Sequence, residues 1–392
     1  MPATERDVPA TDHDVEELLS DLVRIESVTP WLIPDGAGEG EVARFMAGWL
    51  DDLGLEVTLE EVEPGRPNLL ARLPGTGGGP TLCLNAHSDT VGHANWRDRA
   101  LEPRREGDRL YGLGAADDKS CCALALLVLR SLATRNEPLR GDLVVACTID
   151  EEGVSIGTEH LVANHRFDAA IVLEPDALPR LVVEHQGFGW IDVIVHGTPA
   201  HGSAPEEGVD AIVHMAEVVT RLQRHDREVF AANPDPMNGR TVFHTGTIEG
   251  GTDYATYPSR CVLGIEIGTQ PGERLADRVR DIEAVFAEVR EALPDFRGEV
   301  EVKLEREPFR AEGHEALAAA LDASATEVLG RPLEPAGMNA WADTALMQSA
   351  GIPTVLFGPL GGNFHAPDEW ASIGEIVQAT AILERAVVRF CG

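Results

Sequence analysis

Short apolar runs alternate with amphipathic helices along the first half of this sequence, and that alternation most restricts the fold. Apolar runs occur at 81–86, 143–149 and 169–173, and a helix is predicted over about 118–133 between the first two. Strands that are apolar on both faces and joined by helices are typical of a parallel sheet with helices packed on it. We therefore predict an α/β fold with a mostly parallel sheet covered by helices.

The pattern changes after Gly187, where a strand, helix, two strands, a helix and a strand follow in order. We interpret this as a β-α-β-β-α-β unit inserted into the larger domain. Its second helix is predicted to begin at Pro271, in the first helical position. The predicted domains are a catalytic metal-binding domain, residues 1–187 and 304–392, and an inserted lid or dimerisation domain, residues 188–303.

Composition excludes several classes of function. The 392 residues favour two domains. A net charge of −34 argues against nucleic acid and anionic membrane as partners. No apolar run approaches the roughly 20 residues that span a bilayer, and the polar first dozen residues differ from a signal peptide, so we predict a cytoplasmic location. The six cysteines lack CxxC spacing and are predicted to be buried free thiols.

Histidine and acidic residues lie after the ends of the predicted strands, and one further acidic residue lies at the start of the helix predicted near 118. Five of them are candidate metal ligands: His87, Asp117, Glu152, Glu174 and His365. Ligand sites in open α/β sheets form at the carboxyl ends of strands. Alone, a histidine there usually bonds a backbone carbonyl, and a Glu-Glu pair is usually a solvated turn. Together they supply one carboxylate that can bridge two divalent metal ions, and one His and one further carboxylate for each ion. Zinc is the metal that we expect with these ligands, and cobalt or manganese would also be accommodated.

Two further carboxylates accompany this set. Glu151 precedes a candidate ligand yet is surplus to coordination, so it is free to take a proton from a metal-held water and to return it to a leaving amine. A salt-bridging loop residue is the alternative. Asp89 lies two residues after His87, where a carboxylate can fix the orientation and tautomer of the imidazole.

Five motifs together resemble the binuclear zinc deacylases and exopeptidases, which include acetylornithine deacetylase, succinyl-diaminopimelate desuccinylase and glutamate carboxypeptidase. The resemblance extends over essentially the whole chain. The motifs are HSD at 87–89, GLGAADDK at 112–119, DEEG at 150–153, LEP at 173–175 and FGPLGGNFHAPDE at 357–369.

The resemblance assigns roles to these positions. It implies His87 and Glu174 on one metal, Glu152 and His365 on the other, and Asp117 as the bridge, followed by a cis Asp117–Asp118 peptide bond. It also implies that Glu151 is the general base and that Asp89 supports a ligand. In the lid it implies that His201 contacts the substrate carbonyl, often across a dimer interface, as an oxyanion stabiliser. A surface-loop histidine is the alternative for His201.

The lid departs from the family pattern at two positions. Thr256 stands where many relatives have Asn, and Gly268 stands where an Arg at the strand end holds the substrate carboxylate. Arg260 lies on the same strand, but eight residues separate it from position 268, roughly 26 Å. We therefore expect a substrate that lacks the usual α-carboxylate or is anchored elsewhere.

These features predict a metal-dependent amidohydrolase that cleaves an N-acyl amide of an amino acid or related amine, using metal-bound hydroxide with Glu151 as base. A dipeptidase or carboxypeptidase of the same fold is the alternative within this class. A non-catalytic ligand-binding relative is the alternative outside it, and the joint presence of Glu151 and all five ligands argues against it. A homodimer through the lid is expected.

Overall fold

The computed structural model describes residues 10–51, 53–135 and 137–392, without the side chains of residues 97 and 98. The first nine residues, part of the polar segment that argues against a signal peptide, lie outside the described residues. The chain forms two compact units. The first unit contains the described residues up to Val183, Ala311–Pro335 and Ala342–Gly392, and the second unit contains Glu184–Arg310 and Ala336–Trp341.

Helices and strands alternate through the described part of the chain. The helices are α1 (Asp12–Arg24), α2 (Gly40–Trp49), α3 (Lys119–Ala133), α4 (Ile156–Asn164), α5 (Ala211–His225), α6 (Leu275–Ala292), α7 (Glu315–Leu329), α8 (Thr344–Ser349) and α9 (Ile373–Cys391). The strands are β1 (Glu56–Glu63), β2 (Arg66–Leu73), β3 (Leu82–His87), β4 (Arg104–Glu106), β5 (Arg109–Tyr111), β6 (Leu143–Thr148), β7 (Ala169–Leu173), β8 (Arg180–His185), β9 (Gly187–His196), β10 (Phe243–Gly250), β11 (Arg260–Thr269), β12 (Arg297–Arg306), β13 (Phe309–Arg310), β14 (Glu334–Met338), β15 (Thr354–Phe357), β16 (Gly361–Gly362) and β17 (Trp370–Ser372).

The main sheet of the first unit has the strand order β1-β2-β6-β3-β7-β15-β8. Its central strands β6, β3, β7 and β15 are parallel, which confirms the predicted fold class, whereas β1, β2 and β8 join antiparallel. The central strands are buried along their whole length because helices cover both faces. Since they are parallel, their carboxyl ends lie at one edge of the sheet, and β3 ends there at His87.

Helix α3 explains how this sheet is covered on one face. It is apolar almost all round, and nearly every residue from its start to Leu132 is buried. A helix of that composition belongs in the interior of a protein. It packs between α1 and α9, so the buried face of the sheet and all three helices share one hydrophobic core.

The second unit is built on an antiparallel sheet with the strand order β10-β11-β9-β12. Helices α5 and α6 share its core, and the order of elements is the predicted β-α-β-β-α-β. The prediction that α6 begins at Pro271 is wrong, since α6 begins at Leu275 with Arg274 as N-cap. Pro271 lies in a turn closed by Glu273, whose amide donates to the Gln270 carbonyl and whose carboxylate accepts from the Gln270 amide.

All six cysteines are buried and free, which confirms the prediction made from their spacing. Within the described ranges, no helix combines the length and the apolar character needed to cross a membrane.

Candidate metal centre and active site

His87 and Asp117 meet at the carboxyl edge of the first unit's sheet. His87 is the last residue of β3 and is 2% exposed. Its Nε2 lies 2.9 Å from Asp117 Oδ1, while Asp117 Oδ2 lies 3.3 Å from His365 Nε2. One carboxylate therefore faces two imidazoles through its two oxygens, which is the arrangement that a carboxylate bridging two cations requires. The Asp117–Asp118 peptide bond is cis, which confirms that prediction.

The remaining predicted ligands surround this pair. His365 Nε2 lies 3.0 Å from Glu152 Oε1, and His87 Nε2 lies 3.8 Å from Glu174 Oε1. One ligand atom from each of His87, Asp117 and Glu152 lies within 4.8 Å of the other two. The first unit thus brings together all five residues that were predicted as ligands.

Asp118 joins this group although the sequence analysis did not predict it. Its carboxylate forms a second set with His87 and Glu174, with one atom from each residue within 4.8 Å of the others. Asp118 is fully buried, and its Oδ2 accepts a hydrogen bond from the His87 amide at 3.1 Å. The Asp-Asp dipeptide at 117–118 is the sequence signal that could have drawn attention to it.

Buried negative charge dominates the electrostatics of the site. Burial raises the pKa of Glu174 well above its usual value, and the neighbouring Asp118 charge adds to the effect. Hydrogen bonds to Asp117 and Glu152 raise the pKa of His365 to about 11. Carboxylates withdrawn from water need compensating positive charge, and two divalent cations would supply it. The donor set of imidazole nitrogens and carboxylate oxygens therefore fits the divalent metals that were predicted from the sequence.

Glu151 and Asp89 accompany these candidate ligands, and the Asp89 side chain binds the main chain at Glu151. The carboxylate of Asp89 accepts the Glu151 amide at 3.0 Å and the Glu152 amide at 3.1 Å. Its Oδ1 also lies 3.4 Å from His87 Nδ1. Asp89 thus contacts His87, as its predicted supporting role requires, and also holds the turn that carries Glu151. Burial raises the pKa of Glu151 well above its usual value, and the charges of Asp343 and Glu152 contribute.

The turn before Glu151 is held by a buried charge network that the sequence analysis missed. Asp150 has a φ of +67°, a left-handed conformation that non-glycine residues rarely adopt. Its Oδ1 accepts from Thr29 Oγ1 at 2.6 Å and from Arg66 Nη2 at 2.8 Å. Arg66 also binds Glu39 through two hydrogen bonds of 2.7 Å. No sequence motif links 29, 39 and 66 to 150, because only the fold makes them neighbours.

His201 belongs to the second unit and is not among the residues that the first unit brings together. It is exposed, and its Nδ1 lies 2.7 Å from Ser203 Oγ. Its main chain pairs with Thr256, one of the two positions that depart from the family pattern. The two residues are therefore neighbours within the same part of that unit.

Gly268, the other departure, lies where no side chain fits. A Cβ built there would be 2.6 Å from Gln186 Oε1 and 3.1 Å from the Val242 amide nitrogen. Gln186 is 2% exposed and is fixed by its own bonds, accepting from the Val242 amide at 3.0 Å and donating to the Arg240 carbonyl at 2.8 Å. The neighbours of Gly268 therefore occupy the space that a side chain at this position would need.

Comparisons with known proteins identify the family of this chain. The model of peptidase family M20/M25/M40 matches residues 83–389. The chain is 29% identical over 373 residues to acetylornithine deacetylase of Aliivibrio fischeri, covering 90% of this chain and 92% of that protein. It is 26% identical over 417 residues to N-formyl-4-amino-5-aminomethyl-2-methylpyrimidine deformylase of Bacillus subtilis, covering 97% and 95%.

A solved structure shares the fold. The YXEP protein of Bacillus subtilis, described as a dinuclear metal-binding peptidase, superposes with a TM-score of 0.67 at 15% identity and covers 96% of this chain and 97% of its own. The family match and the two relatives also identify the chemistry as hydrolysis of an amide bond at a metal site. The chain belongs to peptidase family M20/M25/M40 and is a metal-dependent amidohydrolase.

Proposed function

We propose that the first unit binds two divalent metal ions, most simply zinc, through the five residues that the sequence predicts as ligands. His87 and Glu174 would hold one ion, Glu152 and His365 the other, and Asp117 both. The observation that carries this proposal is that the two oxygens of Asp117 face His87 Nε2 at 2.9 Å and His365 Nε2 at 3.3 Å. When bound, two such ions polarise a carbonyl and lower the pKa of water.

Glu151 is the proposed proton carrier. Its turn is fixed by Asp89 and by the Asp150 network, so its carboxylate is held beside the ligands without being required as one. Burial favours the protonated form of such a carboxyl, and this suits a group that accepts a proton and then delivers it to the departing amine. His201 of the second unit is the proposed donor to the oxyanion that forms at the carbonyl.

The proposed substrate is an N-acyl amine without an α-carboxylate. Gly268 offers no side chain to bind a carboxylate, and the packing of Gln186 leaves no space for one. The similarity to the pyrimidine deformylase supports this class, since the compound in that protein's name is an N-formyl amine without an amino-acid carboxylate. The similarity to acetylornithine deacetylase supports the broader class of N-acyl amines.

Hydrolysis across a matched substrate panel tests the proposal. Purified metal-loaded protein is assayed with N-formyl, N-acetyl and N-succinyl amino acids, with their decarboxylated amine counterparts, and with dipeptides, each with and without chelator. Chelator-reversible turnover of the decarboxylated amides is the expected result. Turnover of the α-carboxylates alone would refute the substrate class, and turnover of dipeptides alone would favour a dipeptidase.

A homodimer through the second unit is also proposed, together with a cytoplasmic location. The two edges of that unit's sheet differ in character. The outer strand β10 is exposed after its first residue, and Ile248 on it is 61% exposed. The opposite outer strand, β12, carries Glu299, Glu301 and Lys303, and charges of this kind discourage strand pairing. Glu249 is the one Asp, Glu, Lys or Arg residue of β10, so this less charged exposed edge suits pairing with a second copy better than β12 does. Sedimentation of wild type against Ile248→Lys would test this.

A further inference from the structure

Glu369 is a buried carboxyl group to which the proposed chemistry gives no task. It lies four residues after His365, immediately before β17, and is 1% exposed. Its Oε1 accepts the amides of Ala116 and Asp117, each at 2.9 Å, and its Oε2 accepts the amide of Gly114 at 3.1 Å. Three main-chain donors of one turn therefore converge on a single side chain.

That turn presents the proposed bridging ligand. Gly114 has a φ of +69°, which turns successive amides to the same side. The Glu369 carbonyl also accepts the Gly112 amide at 3.1 Å, so side chain and main chain both bind the segment 112–117. Without the Glu369 side chain, the amides of Gly114, Ala116 and Asp117 would lose the acceptor that it gives them.

Asp89 holds another turn of the site in the same manner. It accepts the amides of Glu151 and Glu152, while Glu369 accepts those of Ala116 and Asp117. In both cases a carboxylate in a segment that carries one metal ligand binds the main chain of a segment that carries another. Asp89 connects the His87 segment to Glu152, and Glu369 connects the His365 segment to Asp117.

We propose that Glu369 is a positioning residue that fixes Asp117 relative to His365 and so determines how tightly the ion shared by Asp117, Glu152 and His365 is held. The inference rests on the proposed metal pair. The strand pairing of Trp370 with Tyr111 also joins these segments, but that pairing provides no acceptor for the amides of Gly114, Ala116 and Asp117. Glu369 therefore acts on the ligand turn itself.

Metal affinity of three full-length variants tests this. Glu369→Ala removes the carboxylate and leaves a void, whereas Glu369→Gln keeps the volume but replaces one acceptor oxygen by an NH₂ group. Asp108→Ala is the matched control. Asp108 also accepts a main-chain amide, that of Gly374 at 2.8 Å, and the Ser372 hydroxyl at 2.6 Å, and these donors lie at the start of α9 rather than in the segment 112–117.

Competition with a chromophoric zinc chelator measures both dissociation constants, and elemental analysis gives the stoichiometry. Loss of a group that orients metal ligands typically costs about 10- to 100-fold in metal affinity, which we expect for one of the two ions in both Glu369 variants. Added formate should restore affinity in Glu369→Ala by entering the void, and not in Glu369→Gln. Asp108→Ala should lower the melting temperature and leave both constants unchanged.

The possible failures are distinguishable. Wild-type protein that binds fewer than two ions would refute the proposed metal pair. Wild type with two ions and a Glu369→Gln variant of unchanged affinity would overturn the role of Glu369 alone. Should Glu369→Ala fail to fold, Glu369→Gln decides the question by itself.

Discussion

The two compact units differ in how their functional residues are encoded. In the first unit, the proposed ligands and proton carrier lie in short motifs at strand ends, and parallel strands bring those ends to one edge of the sheet. In the second unit, the departures at Thr256 and Gly268 acquire meaning only from neighbours distant in sequence, such as Gln186 beside Gly268. The residues proposed for the reaction are thus marked by local sequence motifs, whereas those proposed for substrate recognition depend on packing between distant segments.

Glu151→Gln should produce the largest effect and tests the assignment of chemistry to the first unit. General acid–base catalysis contributes about 10²- to 10⁴-fold, so we expect a fall of that size in kcat, because an amide cannot carry the proton. Metal content measured by elemental analysis should stay at the wild-type value, since Glu151 is not a proposed ligand. The exposed Glu315→Gln serves as control. Loss of metal together with activity would show that Glu151 is a ligand instead.

The sequence predicted most of the first unit for a physical reason. Apolar runs, helical periodicity and strand-end acids are local signals, and they located all five proposed ligands, whose side chains the structure brings together. Asp118 and the Arg66 network escaped, because their roles depend on which segments the fold makes adjacent. The start of α6 was misplaced since Pro271 suits a turn as well as a first helical position.

His201→Ala tests whether the second unit contributes to the reaction as well as to recognition. Removing one donor to a developing oxyanion costs about 10²- to 10³-fold in kcat, and we expect a loss in that range with little change in KM. The exposed His244→Ala, on β10 of the same unit, is the matched control. Steady-state kinetics of both variants at saturating zinc provide the measurement. A change in KM alone would assign His201 to substrate binding.

Arg66→Ala should lower the stability of the first unit more than a surface substitution on the same strand does. Arg66 lies among Glu39, Asp150 and Thr29, and removing one partner of a buried ion pair typically costs about 3–5 kcal/mol. Arg72, also on β2, pairs with Asp142 at the surface with 47% of its side chain exposed, so Arg72→Ala should cost less than about 1 kcal/mol. Urea unfolding compares the two. Equal losses would contradict a network that depends on burial.

Gly268→Ala should have the smallest effect and tests the packing argument in the second unit. The new Cβ would approach Gln186 Oε1 at 2.6 Å, and overpacking of this kind typically costs about 1–3 kcal/mol in the free energy of unfolding. Gly246→Ala on the neighbouring strand β10 is the control, because the nearest atom to its Cβ would be the Gly264 carbonyl oxygen at 3.7 Å. Zinc affinity should remain at the wild-type value in both, since the proposed metal ligands belong to the first unit. A double-mutant cycle with Gln186→Ala then isolates the contact. An equal loss in the free energy of unfolding from Gly268→Ala, whether residue 186 is Gln or Ala, would show that contact with Gln186 is not what restricts position 268 to glycine.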